Sequence, residues 1–229
     1  MSIIREFAEE CFDDIGNEMG FVRSESYYYR IVNDIFLCFG FQSMGDHFRL
    51  VVLVSPLITG IGKYDDDRIV WHARGNTLPI GFNQGEYYYV RDPKTREKMK
   101  KYYRKIILKI QPELSKINDL QTAYDVINKV TGVYGPYRRF MVPPMKEAII
   151  LYRLGKIQQA EKVDGLKDDL EIYRALLARD DEAINSIIAS EFERSIEWLK
   201  KHHMCKNVDG GVLGCQVSRL TNKSQDQNR

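Results

Sequence analysis

Apolar residues Ile4, Phe7, Ala8, Cys11, Ile15 and Met19 recur at intervals of three and four, the spacing that turns one face of an amphipathic helix toward a core. Gly20 follows as a C-terminal stop. The period then changes. Segments 27–32 and 35–42 are rich in aromatic and β-branched residues and are joined by Asn33 and Asp34, which tolerate the left-handed backbone of a tight hairpin. Segment 48–57 carries an unbroken LVVLV run, predicting a strand covered on both faces and closed by Pro56. In segment 68–74, Ile69, Trp71 and Ala73 alternate with Val70, His72 and Arg74, and 87–90 is a less regular strand candidate. Three to five strands, paired as an antiparallel meander behind an N-terminal helix, make this an α+β chain.

Beyond Pro93 the pattern is helical. Met99, Tyr103, Ile106 and Ile110 share one face; Leu120, Ala123, Tyr124, Ile127 and Val130 share another, with Pro112 and a capping Asp119 marking the break between them. The glycines and prolines of GVYGPYRRFMVPP interrupt the periodicity and place a boundary there. Four helices are then predicted over 144–154, 156–163, 166–178 and 181–200. The organisation expected is an α+β domain over 1–133, a helical region over 144–205 and a polar tail over 206–229.

Composition narrows the class without naming a chemistry. The chain has 229 residues, is 44% hydrophobic and 29% charged, and carries a formal net charge of +2, so it folds around a core and exerts no strong global field. Charges interrupt MSIIREFAEECFDDIG too often for a signal peptide, and no stretch approaches the roughly 20 apolar residues of a membrane span. Cys11, Cys38, Cys205 and Cys215 are sparse and irregular, which fits a reducing cytoplasm. No membrane association is expected.

Gly20 and Phe21, the basic Arg23, Tyr28 or Tyr29 followed by Arg30, and a second strand ending 39–42 in Gln42 together form a recognisable N-terminal pattern. Over this first quarter the chain resembles an uncharacterised bacterial family of small α+β domains of unknown function. Some relatives of that family sit among toxin and immunity modules, so the resemblance implies a binding role and carries over no catalytic residue.

Three constellations bear on function. The tyrosine triplets 27–29 and 87–89 put rings on both sides of their strands, and Tyr28, Arg30, Gln42, Trp71, His72 and Arg74 would line a binding surface on the sheet, the plainer reading of the rings being aromatic packing along the strands. The segment 94–109 holds eight basic residues and one acid; on a helix, Lys94, Lys98, Lys101 and Lys105 form a stripe, and Lys98, Lys101, Arg104 and Lys105 would contact an anion. The plainer reading of that stripe is a solvated face whose lysine stems cover apolar surface. His202, His203, Cys205 and Cys215 are soft ligands in no zinc-site spacing, and Asp65, Asp66 and Asp67 lack the spaced oxygens of a calcium loop, so no metal and no cofactor are predicted. The glycines around Gly60 and Gly62 lead into KYDDD, not into a phosphate loop. The expected function is a non-enzymatic protein-binding module, immunity- or toxin-associated, with an unidentified protein partner. Nucleic acid or another anionic ligand bound by the basic helix is the first alternative, and an enzyme with a site assembled around His72 the second.

Overall fold

A computed structural model describes residues 2–44, 47–61, 69–74, 90–133 and 143–204. Helix α1 (Ile3–Glu18) ends where Gly20 takes a φ of +71° and the Phe21 N–H turns back to the Gly16 carbonyl at 2.8 Å. Five strands follow: β1 (Val22–Ser24), β2 (Tyr27–Val32), β3 (Ile35–Met44), β4 (His47–Pro56) and β5 (Ile69–Arg74). They pair antiparallel in sequence order, the predicted meander. Asn33 and Asp34 join β2 to β3 with φ of +45° and +65°, as a two-residue hairpin turn demands, and Val32 pairs directly with Ile35. β1 is an edge strand of three residues, too short for its period to register in the sequence.

After a short 3₁₀ turn at Leu57–Thr59, the chain is helical from α2 (Pro93–Leu114) through α3 (Leu120–Val133), α4 (Pro144–Arg153), α5 (Ile157–Ala160), α6 (Leu170–Ala178) and α7 (Asp181–Lys201). Asp92 caps α2 by accepting from the Thr95 N–H at 2.9 Å, and Asp119 accepts from the Thr122 N–H at 2.7 Å, the capping role its position predicts. Pro112 lies in the last turn of α2, which ends two residues later at Leu114, and Asp119 opens the next helix, so the break falls between them. The segment 166–178 divides into a 3₁₀ turn at Leu166–Asp168 and α6.

Each strand sends successive side chains to opposite faces, and here both faces are apolar. Tyr28, Leu37, Phe39, Phe41, Phe48, Leu50, Val52 and Val54 meet α1, α2 and α3 in one buried cluster. Tyr29, Ile31, Phe36 and Cys38 meet the helices after Pro143 in a second. The sheet is therefore the middle of three layers. Phe7 and Phe41 stack at 5.3 Å, and Phe12 stands edge-on to Phe39 at 5.5 Å, so α1 is held by rings that interlock as well as by burial. Gly40 allows β2 and β3 to close up: a Cβ there would meet the Ser26 carbonyl oxygen and approach the Tyr27 Cα to 2.7 Å.

Helix α7 fixes the end of β4 by a buried polar post. Fully buried Ser195 donates from its hydroxyl to the Leu57 carbonyl at 2.7 Å and accepts from the Ile61 N–H at 2.8 Å. Ser195→Ala would take the hydroxyl acceptor from the Ile61 N–H and leave the Leu57 carbonyl only the longer bond from the Gly60 N–H at 3.3 Å, and we expect it to cost about 1–3 kcal/mol in urea unfolding. An unchanged unfolding midpoint would show that the turn finds other partners.

Candidate functional site

The residues expected to line a sheet surface do not do so as a set. Tyr28 is 1% exposed, because α1 covers the face it projects from. Its ring stacks on Phe39 at 5.4 Å, and its hydroxyl donates to Asp13 Oδ1 at 2.5 Å. Burial, with Asp13 adding to it, pushes the phenol pKa well up, so it stays protonated. Tyr28 is thus a core residue, and its reading as a binding anchor is corrected. Arg30 is half-buried and donates to the Met19 carbonyl at 3.0 Å, closing the end of α1. Gln42 is half-buried on β3, opposite Arg49 of β4, which in turn pairs with Arg74 of β5. Trp71 pairs with Val52 and His72 with Val51; the side chains of Trp71, His72 and Arg74 lie outside the described residues.

The basic helix is divided by residue type. Met99, Tyr103, Ile107, Ile110 and Leu114 are buried, with Ile106 half-buried beside them. The two arginines turn inward to α1. Arg96 grips Glu10 through Nε and Nη2 at 2.9 and 2.6 Å, and Arg104 grips Asp14 through Nη1 and Nη2 at 2.6 and 2.7 Å while also donating to the Cys11 carbonyl at 2.8 Å. The Arg104 guanidinium holds the Asp14 carboxyl down to about 2, and Arg96 lowers Glu10 in the same way. Arg104 therefore belongs to the fold, which corrects its place among the anion-binding residues; the planar fork suits a fixed carboxylate better than a passing ligand.

The lysines turn outward. Lys94, Lys98, Lys101 and Lys105 are exposed at spacings of four, three and four, and Leu108 continues their row with 46% of its surface in water. The four lysines span about 16 Å, and about 21 Å with Leu108, at the helical rise of roughly 1.5 Å per residue. Glu97 lies 3.8 Å from Lys101, the one acid within the row's reach on α2.

A second feature escaped the periodic pattern because three separate segments build it. Met145, Ile172 and Glu191 are buried beneath a cleft of about 480 Å³ whose rim carries exposed Asp168, Leu170 and Glu171. Glu191 is 4% exposed and receives Arg194 Nη1 at 2.6 Å; Lys146, 3% exposed, donates to the Gly60 carbonyl at 2.7 Å. Gly60 has a φ of +73°, and a side chain there would run into Glu191 Oε2, so glycine is required on both counts. Leu170 and Leu177 on α6 are 55% and 56% exposed.

His202 stacks on Trp198 at 4.0 Å, with Nδ1 2.8 Å from the Trp198 carbonyl, and Cys205 and Cys215 lie outside the described residues. So do the acids 65–67, the tyrosines 87–89 and the tail 206–229. Among the described residues no group of three or more His, Cys, Asp or Glu is placed to hold a metal ion, and no helix is long and apolar enough to cross a membrane. Burial pushes both the Cys11 and Cys38 thiols up, away from the reactive thiolate. No protein-family model matches the chain, and neither does any curated protein or solved structure.

The division between arginine and lysine is testable by stability. Arg104→Ala should destabilise the fold by about 1 kcal/mol, whereas Lys105→Ala one residue on should stay within about 0.5 kcal/mol. Acid separates the pair further. A carboxyl held low in the folded chain stabilises it above the unfolded pKa and stops doing so as pH falls through the folded one, so the Asp14 contribution disappears between its ordinary 3.8 and about 2. Because Asp14 is largely exposed, solvent screening keeps that contribution below about 1 kcal/mol. Wild type and Asp14→Asn should differ in urea midpoint at pH 6 and converge as the pH is lowered through that window.

Proposed function

We propose that this chain is a nucleic-acid-binding protein that lays the lysine row of α2 along a phosphate backbone. The observation that supports this reading is the exposure of Lys94, Lys98, Lys101 and Lys105 on one face while both arginines of the helix are taken up by carboxylates. Such a row is unfavourable for the helix itself. Like charges at i,i+4 cost roughly 0.2–0.5 kcal/mol per pair, and a lysine in the first turn opposes the helix dipole. Lysine stems that merely covered apolar surface would be half-buried, as Lys100 is; these four are not. An extended polyanion offers what the row lacks, a repeating negative charge along about 16 Å. The protein-binding role that the sequence puts first would need a surface other than Tyr28.

The test is anisotropy of labelled single- and double-stranded oligonucleotides across a salt series. A wild-type plot of log K against log salt should fall with a slope of about −3 to −4 on duplex, as four released counterions require. Each of Lys98→Ala, Lys101→Ala and Lys105→Ala should flatten it by about 1, and Arg104→Ala should leave it unchanged. Absence of binding at low salt, or a slope insensitive to all three lysines, would overturn the reading.

A further inference from the structure

The exposed large hydrophobic side chains among the described residues are Leu108, Leu170 and Leu177, and they fall on two elements of opposite charge. Leu108 ends the lysine row of α2. Leu170 and Leu177 stand on α6, within the stretch 161–182, which has eight acids against four basic residues. One of those four, Arg179, is occupied by Glu161 at 2.8 Å. α2 packs on one face of the sheet and α6 in the layer on the other, so the two charged surfaces belong to opposite layers of the molecule. Each offers its counterpart an exposed leucine on a surface whose net charge has the opposite sign, although exposed Lys167 and Arg174 also flank Leu170.

We infer that a second copy of this chain docks head to tail, with Leu108 of one copy seated in the cleft beside Leu170 of the next. The cleft is half-open and exposes more polar than apolar surface; Leu170 and half-buried Ile187 form its apolar part over buried Met145 and Ile172, its volume of about 480 Å³ is ample for a leucine, and Asp168 and Glu171 are exposed at its rim. Lys105 and Lys101 precede Leu108 by three and seven positions, on the same side of α2, and would meet those carboxylates as the leucine enters. Arg194, the cation in the cleft, is already committed to Glu191 at 2.6 Å and does not repel the incoming lysines as a free charge would. The contact joins two different surfaces, so it does not close on itself as a twofold dimer does; each added copy leaves one knob and one socket open. The inference shares α2 with the nucleic-acid reading but does not rest on it.

The experiment is sedimentation velocity on the full chain, freed of nucleic acid, over a concentration series reaching roughly 500 µM, where even a contact of millimolar affinity populates associated species. At about 50 mM salt the average mass should climb without a plateau at two copies, and at about 500 mM, where screening is several-fold stronger, it should fall back toward the monomer. Leu108→Glu lacks the knob, and Leu170→Lys with Glu171→Lys lacks the socket; because all three residues are exposed, circular dichroism should show both variants folded. Each variant alone should stay monomeric. Mixed in equal amounts they retain one good knob and one good socket between them, and should form a dimer and nothing larger. Monomer throughout the wild-type series overturns the inference, as does a plateau at two copies or a mixture that fails to pair. The socket variant keeps its lysines and should bind oligonucleotide as wild type does, so loss of self-association and loss of nucleic-acid binding are read separately.

Discussion

A sheet whose two faces are both apolar cannot face water on either side, and the rest of this fold answers that constraint. β3 states it most fully: Leu37, Phe39 and Phe41 go one way, Phe36 and Cys38 the other, and all five are buried. Burying a side chain of this size is worth roughly 1.5–3 kcal/mol, so leaving either face bare would forfeit more than a typical domain's whole stability. One cover is local, since α1 precedes the sheet and α2 and α3 follow it. The other is built from the chain after Pro143, with α7 reaching back to β4 through Ser195. The tyrosine pair shows the constraint acting on neighbours. Tyr28 and Tyr29 point to opposite faces, and both are 1% exposed.

Covering the first face created a problem of charge as well as of shape. α1 presents Glu9, Glu10, Asp13 and Asp14 beside its apolar stripe, and α2 crosses it with a surplus of cations. Arginine settles the contact because its fork takes a carboxylate with two hydrogen bonds and still reaches a carbonyl, as Arg104 does with Asp14 and Cys11. Lysine, a hydrated point charge on a flexible stem, gains less from such a site and is left at the surface. The outcome is a helix with a neutralised inner edge and a charged outer one. That outer edge stays in solvent because the arginines already satisfy α1.

The parts of this fold legible in the sequence were those fixed by neighbours along the chain. The hairpin at Asn33 and Asp34 is written in two residues that accept positive φ, and α1 in a spacing of three and four. The order of the first four strands followed because two-residue connections leave a meander few alternatives. What could not be read depended on pairings across the chain. Tyr28 looked free because α1's cover over that face is a tertiary fact, and Arg104 looked like Lys105 because its partner lies ninety residues earlier. The cleft is less visible still: Met145, Leu170 and Glu191 come from three separate segments, and only Leu170 breaks its local pattern, as an apolar residue left in water beside acids.

Exposed leucines acquire meaning from their surroundings more than from their number. Isolated apolar side chains are ordinary on any protein surface. Leu108, however, ends a row of lysines, and Leu170 lies between Asp169 and Glu171. A leucine with charges beside it resists indiscriminate association, since any apolar partner that brings no counter-charge must strip water from those ions for nothing. The same charges favour a partner of opposite sign, for which desolvation is offset by pairing. Charge therefore acts as a filter over a small apolar contact, and the nearly balanced total of +2 is the sum of two segregated surfaces, with neither visible in the net figure. Placing them on opposite layers also keeps them from neutralising each other within one chain, because the sheet and both of its cores stand between them.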